Sequence, residues 1–523
     1  MNRRKILQLL GSGALMVTVA HKALAQSGHQ GHGDHSGHGA MDHNKMDHNS
    51  HGSMPAMSND LADLMPLDKM PSKQPLQPLK LLKNIANKQG VFIANLEAKP
   101  IKVNLADDKE TEVWAYNGQL PGPQIIVYEG DTVEIHFKNS LSQSTTVHWH
   151  GLPVPPQEDG NPHDAVKPGE SRIYRFTLPQ NCAGTYWYHP HPHGDVSEQV
   201  AKGLAGSFIV KAKNDPLNDL SEQHWLISDL RLDKNGNIPE NTMMDWMNGR
   251  EGQFVLINGQ LQPRINVKSG ERIRIWNACS ARYLRLAIPN CQWIVVGSDG
   301  GLLEKPRPGV NELMLSPAER VEVILQTDKD QSSQLVSHYY DRQKMMVTEP
   351  HDDVLLADIS IDASPVKLPD FLRKIDDFGA ITATKSVEFS EAEMDHAHMD
   401  MGNDKAKQMA MLQNMFKVNG KTYDMDRIDL TSKQDAVEEW QIFNNSHMDH
   451  PFHLHGTQFL IIKRELDGKV TDEPFKAFKD SFNLRPYEKV TIKVKQTEKG
   501  IRMFHCHILE HETLGMMANL NVI

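Results

Sequence analysis

Residues 504–517 read FHCHILEHETLGMM, with a lone cysteine, Cys506, between two histidines and a third histidine and a thioether downstream. Imidazole, thiolate and thioether together are ligands for a redox-active transition metal, not for Ca²⁺ or Mg²⁺. Three more segments carry histidine at the same spacing: TTVHWHGL (145–152), TYWYHPHPHG (185–194) and HPFHLHG (450–456). Along an extended strand, side chains i and i+2 share a face. His148 therefore converges with His150, His189 with His191, His453 with His455, and His505 with His507. Eight imidazoles suit three ions, because one ion seldom takes more than four.

The same alternation turns Cys506 away from the face shared by His505 and His507, so one tripeptide can serve two metal sites. His511 and Met516 follow after a turn, and His450 can arrive from a neighbouring strand. Two histidines, one cysteine and a weak axial methionine form the ligand set of a blue-copper electron-transfer centre. Zinc would accept Cys and His, but it has no redox use and no need of an axial thioether.

These ligands must be positioned by strands. A chain of 523 residues is too long for one core and predicts three domains behind an N-terminal segment. Short runs with apolar or β-branched residues at alternate positions, such as QIIVYEGDTVEIHFKN, RVEVILQ and EKVTIKVKQ, recur from about residue 85. EGDTVEIHFKNS (129–140) is echoed by SGERIRIWNACS (269–280) and KQDAVEEWQIFNNS (433–446). Each is a polar turn leading into a strand that ends in Asn. The prediction is an all-β protein with three copies of one sandwich, over 81–215, 216–385 and 386–523.

Two segments stand outside that pattern. Residues 26–80 form a His/Met-rich tail and Pro-punctuated linker, too poor in apolar residues for a core and predicted to be disordered. Its histidines (29, 32, 35, 38, 43, 48 and 51) and methionines (41, 46, 54 and 57) suit weak binding of extra copper. Residues 391–416 are rich in methionine, either as core filler or as copper contacts.

Residues 1–25 read as an export signal. Arg3, Arg4 and Lys5 precede an apolar stretch too short and Gly-broken to span a membrane, and Ala23-Leu24-Ala25 makes a cleavage site. The paired arginines suit the twin-arginine pathway, and an ordinary secretory signal is the alternative. No other stretch is apolar enough for a membrane span. The net charge of −11 argues against nucleic acid as a partner. Of the four cysteines, Cys279 and Cys291 are a candidate disulfide, Cys182 has no clear partner, and Cys506 is reserved for metal.

From about residue 85 to the end, the four histidine segments resemble those of the multicopper oxidases, and most closely the bacterial copper efflux oxidases and laccase-like copper-resistance proteins. The resemblance implies three cupredoxin-like Greek-key sandwiches and four coppers in a monomeric periplasmic enzyme. It implies a type 1 copper on His450, Cys506, His511 and Met516 and a type 2 copper on His148 and His453. The type 3 pair would take His150, His189 and His507 on one ion, and His191, His455 and His505 on the other. Asp159 and Glu512 stand where the family keeps acids that relay protons to O₂, and His193 reads as a neighbour of the cluster, not a ligand.

The implied activity is substrate oxidation at the type 1 copper, coupled through Cys506 to four-electron reduction of O₂ to water. The resemblance favours Cu(I) as substrate, on candidate ligands Met394, Asp395, Met399, Asp400, Met401 and Met448. It departs from those enzymes at Ser446, where they carry aspartate, so Asp449 or an acid within 395–404 would have to substitute. The alternatives are a laccase acting on phenols or aromatic amines, and a non-catalytic copper-sequestering protein. A two-domain copper nitrite reductase, which needs no type 3 pair, is disfavoured.

Overall fold

A computed structural model describes residues 63–347, 351–363, 367–392 and 405–523. The export signal, most of the His/Met tail, and Met394, Asp395, Met399, Asp400 and Met401 lie outside the described residues. Six sheets form three successive two-sheet sandwiches. The first joins a four-stranded sheet containing Val91–Ala106 and Thr132–Asn139 to a three-stranded sheet of Gly122–Tyr128, Gly206–Lys211 and Gly184–Tyr188. The second and third each face a seven-stranded sheet with a five-stranded one. Trp149, Tyr174 and Phe208 fill the first core, Trp225 and Trp293 the second, and Trp440, Phe452 and Phe504 the third.

The three sequence echoes do one structural job. Thr132–Asn139, Arg272–Asn277 and Val437–Asn445 each pair in parallel with an early strand of their own sandwich: Val91–Ala106, Glu222–Leu230 and Ala383–Glu391. The asparagine near the end of each is buried and spends its amide on carbonyls of the following loop and of a later segment. Asn139 donates to Gln143 O and Val166 O, Asn277 to Arg282 O and Leu315 O, and Asn444 to Met448 O and Leu484 O. A buried amide that satisfies loop carbonyls fixes where the chain leaves the sheet.

The candidate Cys279–Cys291 disulfide is not formed, and all four cysteines are buried free thiols. Cys279 follows strand Arg272–Asn277 with its Sγ against Ile227 O, whereas Cys291 sits in the second core beside Gln292. Sequence proximity does not bring them together, because the strand Leu284–Ala287 intervenes. Among the described residues, no helix is long and apolar enough to cross a membrane.

Candidate metal centres

The third sandwich shows how one strand serves two sites. Strands His450–Leu454 and Gly500–Cys506 are antiparallel neighbours, with Phe452 opposite Cys506 and His453 opposite His505. Opposed residues share a face, and successive residues along a strand do not. His450 and Cys506 thus lie on one side, and His453 and His505 on the other. The histidine pairs do not lie wholly within strands as expected from their spacing. His453 and His505 are in the ladder, but His455 and His507 fall just past its end. His148 and His189 meet only through an isolated bridge. Gly151 and Gly456, directly after His150 and His455, have positive φ (83° and 62°) and turn the chain away at once. That turn opens a space between first and third sandwiches into which all eight imidazoles reach.

On the cysteine side, Cys506 Sγ lies 3.4 Å from His450 Nδ1 and 3.8 Å from His511 Nδ1, and the two Nδ1 atoms are 3.3 Å apart. The thiol and both rings are fully buried, as is Met516 in the same apolar cluster. The outer ring nitrogens are fixed. His511 Nε2 meets Met247 O at 3.1 Å, and His450 Nε2 meets Glu391 Oε1 and Ser446 Oγ, both at 3.0 Å. Met247 belongs to helix Met243–Asn248 of the second sandwich, whose start is a reciprocal Thr242–Asp245 capping box. Phe416 stacks on His511 with ring centroids 3.9 Å apart. Burial pushes the Cys506 thiol well above its ordinary range and the His511 imidazole well below its own. A cation between sulfur and rings is what would draw off the thiol proton.

On the histidine side, the eight imidazoles fall into overlapping groups: His148, His150 and His453; His150, His189 and His507; His191, His455 and His505. Four rings bind a backbone carbonyl through Nδ1 and so present Nε2: His148 to Asp159 O, His189 to Pro190 O, His453 to Asp480 O and His505 to Cys506 O. His505 Nε2 faces His191 Nε2 at 3.2 Å and His455 Nε2 at 3.1 Å. Burial, reinforced by neighbouring imidazoles, holds His150, His189, His191, His453, His455 and His507 well below their ordinary range. They are therefore neutral, the form that coordinates metal. Both ring nitrogens of His150 and of His507, and Nε2 of His148, His189 and His453, are buried without a hydrogen-bond partner. Buried orphans at this density are rare in proteins, and metal ions between them satisfy the nitrogens at once.

Three acids border this cluster: Asp159, Glu512 and Asp480, whose Oδ1 lies 3.5 Å from His150 Nδ1. Asp159 Oδ1 and Oδ2 lie 3.2 Å from His148 Nδ1 and 3.3 Å from His455 Nδ1. Glu512 Oε1 and Oε2 lie 3.2 Å from His191 Nε2 and from His505 Nδ1. Burial raises the Asp159 and Glu512 carboxyls above their ordinary range, and Glu510 adds to the rise at Glu512. His193 stands apart from the cluster, exposed and against the Tyr423 ring at 4.9 Å.

Around the cysteine side, Met448 is fully buried. Asp449 is taken up by Tyr340 OH and Asn483 Nδ2. Among the described residues, the acid that reaches His450 is Glu391, which the sequence reading did not single out. It ends strand Ala383–Glu391 with its side chain 7% exposed, and its Oε2 meets His447 Nδ1 at 2.8 Å. Burial alone would raise its carboxyl, but hydrogen bonds to His447 and His450 outweigh that and hold it well below the usual range. Asp480 was also missed. Nothing local to the sequence marks either residue, because Glu391 reaches His450 from the other sheet of the third sandwich and the Asp480 carboxylate faces His150 of the first sandwich.

Family profiles described as multicopper oxidase match residues 97–215, 222–355 and 388–523. A multicopper oxidase from Staphylococcus aureus is 33% identical over 454 residues, covering 85% of this chain and 91% of that protein. A metallo-oxidase structure from Campylobacter jejuni superposes with a TM-score of 0.86 at 50% identity, over 88% of this chain and 97% of that one. A laccase structure from Pediococcus acidilactici gives 0.73 at 30% identity, over 87% and 95%. Three cupredoxin-like sandwiches with these histidine groups define a copper oxidoreductase. The chain belongs to the multicopper oxidase family.

Proposed function

We propose that this enzyme oxidises Cu(I) in the periplasm, four substrate ions and four protons being consumed per O₂ reduced to two waters. Copper, when resident, supplies one-electron transfer beside Cys506 and O₂ reduction among the histidines. His450, Cys506, His511 and Met516 would hold the type 1 ion, and His148 and His453 the type 2 ion. His150, His189 and His507 would hold one type 3 ion, and His191, His455 and His505 the other. The chain's own contribution is positioning. Carbonyl hydrogen bonds preset the tautomers, the neighbouring cores exclude water, and the peptide joining Cys506 to His505 and His507 is the shortest covalent route between the two faces. Glu512 is kept protonated by burial and can hand its proton toward the space between His191 and His505.

The observation that carries the choice of substrate is the surround of His450. Glu391 brings an anionic carboxylate to its outer nitrogen, with half-exposed His447 beside it. Met243, Met244, Met345 and Met409 pack partly buried against the apolar core that holds Cys506 and Met516. A carboxylate on the His450 ring, beside a core edged with thioethers, suits a soft cation better than a neutral phenol. In this reading Glu391 takes the part that an aspartate at position 446 would otherwise play. Oxygen uptake with Cu(I), with a phenol and with neither tests the proposal. Faster uptake with the phenol would favour a laccase, and no turnover with either would favour sequestration. Replacing 393–404 by a short linker is the clean companion variant. A cut over 391–416 would also remove Glu391 and the buried Leu412, Met415 and Phe416.

A further inference from the structure

The second sandwich contributes no histidine to either group, yet one of its side chains reaches the cluster. Arg320, at the start of strand Arg320–Gln326, is fully buried and grips Asp480 of the third sandwich with both Nη atoms, at 2.6 and 2.5 Å. Its Nε donates to Thr185 O at 2.7 Å, in the strand of the first sandwich that runs into His189. Asp480 is also fully buried. Its Oδ1 lies 3.5 Å from His150 Nδ1, and its backbone O takes the Nδ1 of His453 at 2.9 Å. Ser481 Oγ and Gln458 Nε2 donate to the same carboxylate, and Gln458 also donates to Gly151 O.

We infer that the Arg320–Asp480 pair positions His150 and His453, so that the second sandwich sets how tightly the histidine cluster holds metal. Two features separate this from an interface ion pair of no consequence. A buried ion pair often stabilises no more than an apolar pair of similar size, which would join the sandwiches as well. The first feature is at His150: neither ring nitrogen has a hydrogen-bond partner, and Asp480 is the carboxylate facing Nδ1. A negative carboxylate 3.5 Å away favours the proton on Nδ1 electrostatically and leaves Nε2 to the metal. The second feature is Gly151. A Cβ at that position would run into Asp480 Oδ2 and come within 2.9 Å of Arg320 Nη2. The glycine that follows His-x-His in this segment therefore leaves room for the pair as well as turning the chain.

The inference rests on the copper assignment above, and its test separates the two. Purified holoprotein is compared with Arg320→Met, Arg320→Lys and Asp480→Asn. The readouts are copper per chain after dialysis against a chelator, the blue absorption of the Cys506 site, and the electron paramagnetic resonance signal of the type 2 ion. Arg320→Met and Asp480→Asn should weaken copper binding at the histidine cluster by about 10–100-fold. They should also shift the type 2 signal while the blue absorption stays. Arg320→Lys, which keeps a charge but loses the fork, should fall between them and the wild type. If the Arg320 variants fail to fold, Gln458→Leu, which removes one donor from the same carboxylate, should show a smaller shift of the type 2 signal. Full cluster occupancy with an unchanged signal in the folded variants would overturn the inference alone. A wild-type protein without blue absorption would overturn the copper assignment.

Discussion

The two faces of strand Gly500–Cys506 bind metal by different designs. The Cys506 face draws its candidate ligands from the third sandwich alone, and other elements only cover it: the helix Met243–Asn248 and Phe416. The histidine face is split between first and third sandwiches and exists only when these are docked. A site within one domain can be shaped by local turns. A site between domains depends on how the domains are clamped, which is where Arg320 and Asp480 enter. The difference teaches that the cysteine donor set is built into a single fold unit, whereas the histidine donor set is a property of the assembly.

Removing the thiolate should break one face and spare the other. Cys506→Ser is expected to abolish both the blue absorption and substrate oxidation, with cluster copper retained; activity in that variant would sink the assignment. Glu512→Gln should do the reverse, keeping the blue centre while turnover drops by about 10²–10⁴-fold, the range of a lost proton donor. Because the raised carboxyl of Glu512 donates only while protonated, wild-type turnover should fall as pH rises through its pKa, and this limb should vanish in the variant. Steady-state oxygen uptake across pH reads both effects.

The outer edge of the cysteine face gives a smaller, selective effect. Glu391→Gln should lower kcat/KM for Cu(I) by about 10-fold, the scale of one lost charge-assisted hydrogen bond, and leave phenol oxidation nearly unchanged. Equal losses for both substrates would mean that Glu391 only orients His450. The least selective effect should fall on the stability of the fold, not on either face. Burial alone would raise the Glu322 carboxyl, but Arg272 and Arg274 outweigh it and lower it. Stability from this group is present above the ordinary carboxylate pKa and is lost as pH falls through the lowered one. Thermal unfolding should show less acid sensitivity in Glu322→Gln than in wild type, together with a lower Tm near neutrality from the broken pair.

The all-β class was legible because alternation over short runs is a local property, and the three echoes were legible because each copy needs the same buried Asn to fasten its loops. The histidine pairs were legible because two-residue spacing is a covalent fact. Their placement across strand ends, not within them, was not legible, since it depends on where pairing stops. Glu391, Asp480 and Arg320 carry no motif. Their partners lie 59, 27 or more and 160 residues away.

By itself the sequence determined the donor set: soft sulfur and imidazole at strand periodicity, enough for four ions, and a chain of three similar sandwiches. It did so because side-chain alternation and ligand chemistry need no long-range information. Only the tertiary structure decided which histidines share a space, which carboxylates fix their rings, and that a sandwich without ligands reaches the cluster. Those choices arise from packing between sandwiches, where residues remote in sequence meet in water-free surroundings and their charges must be paired.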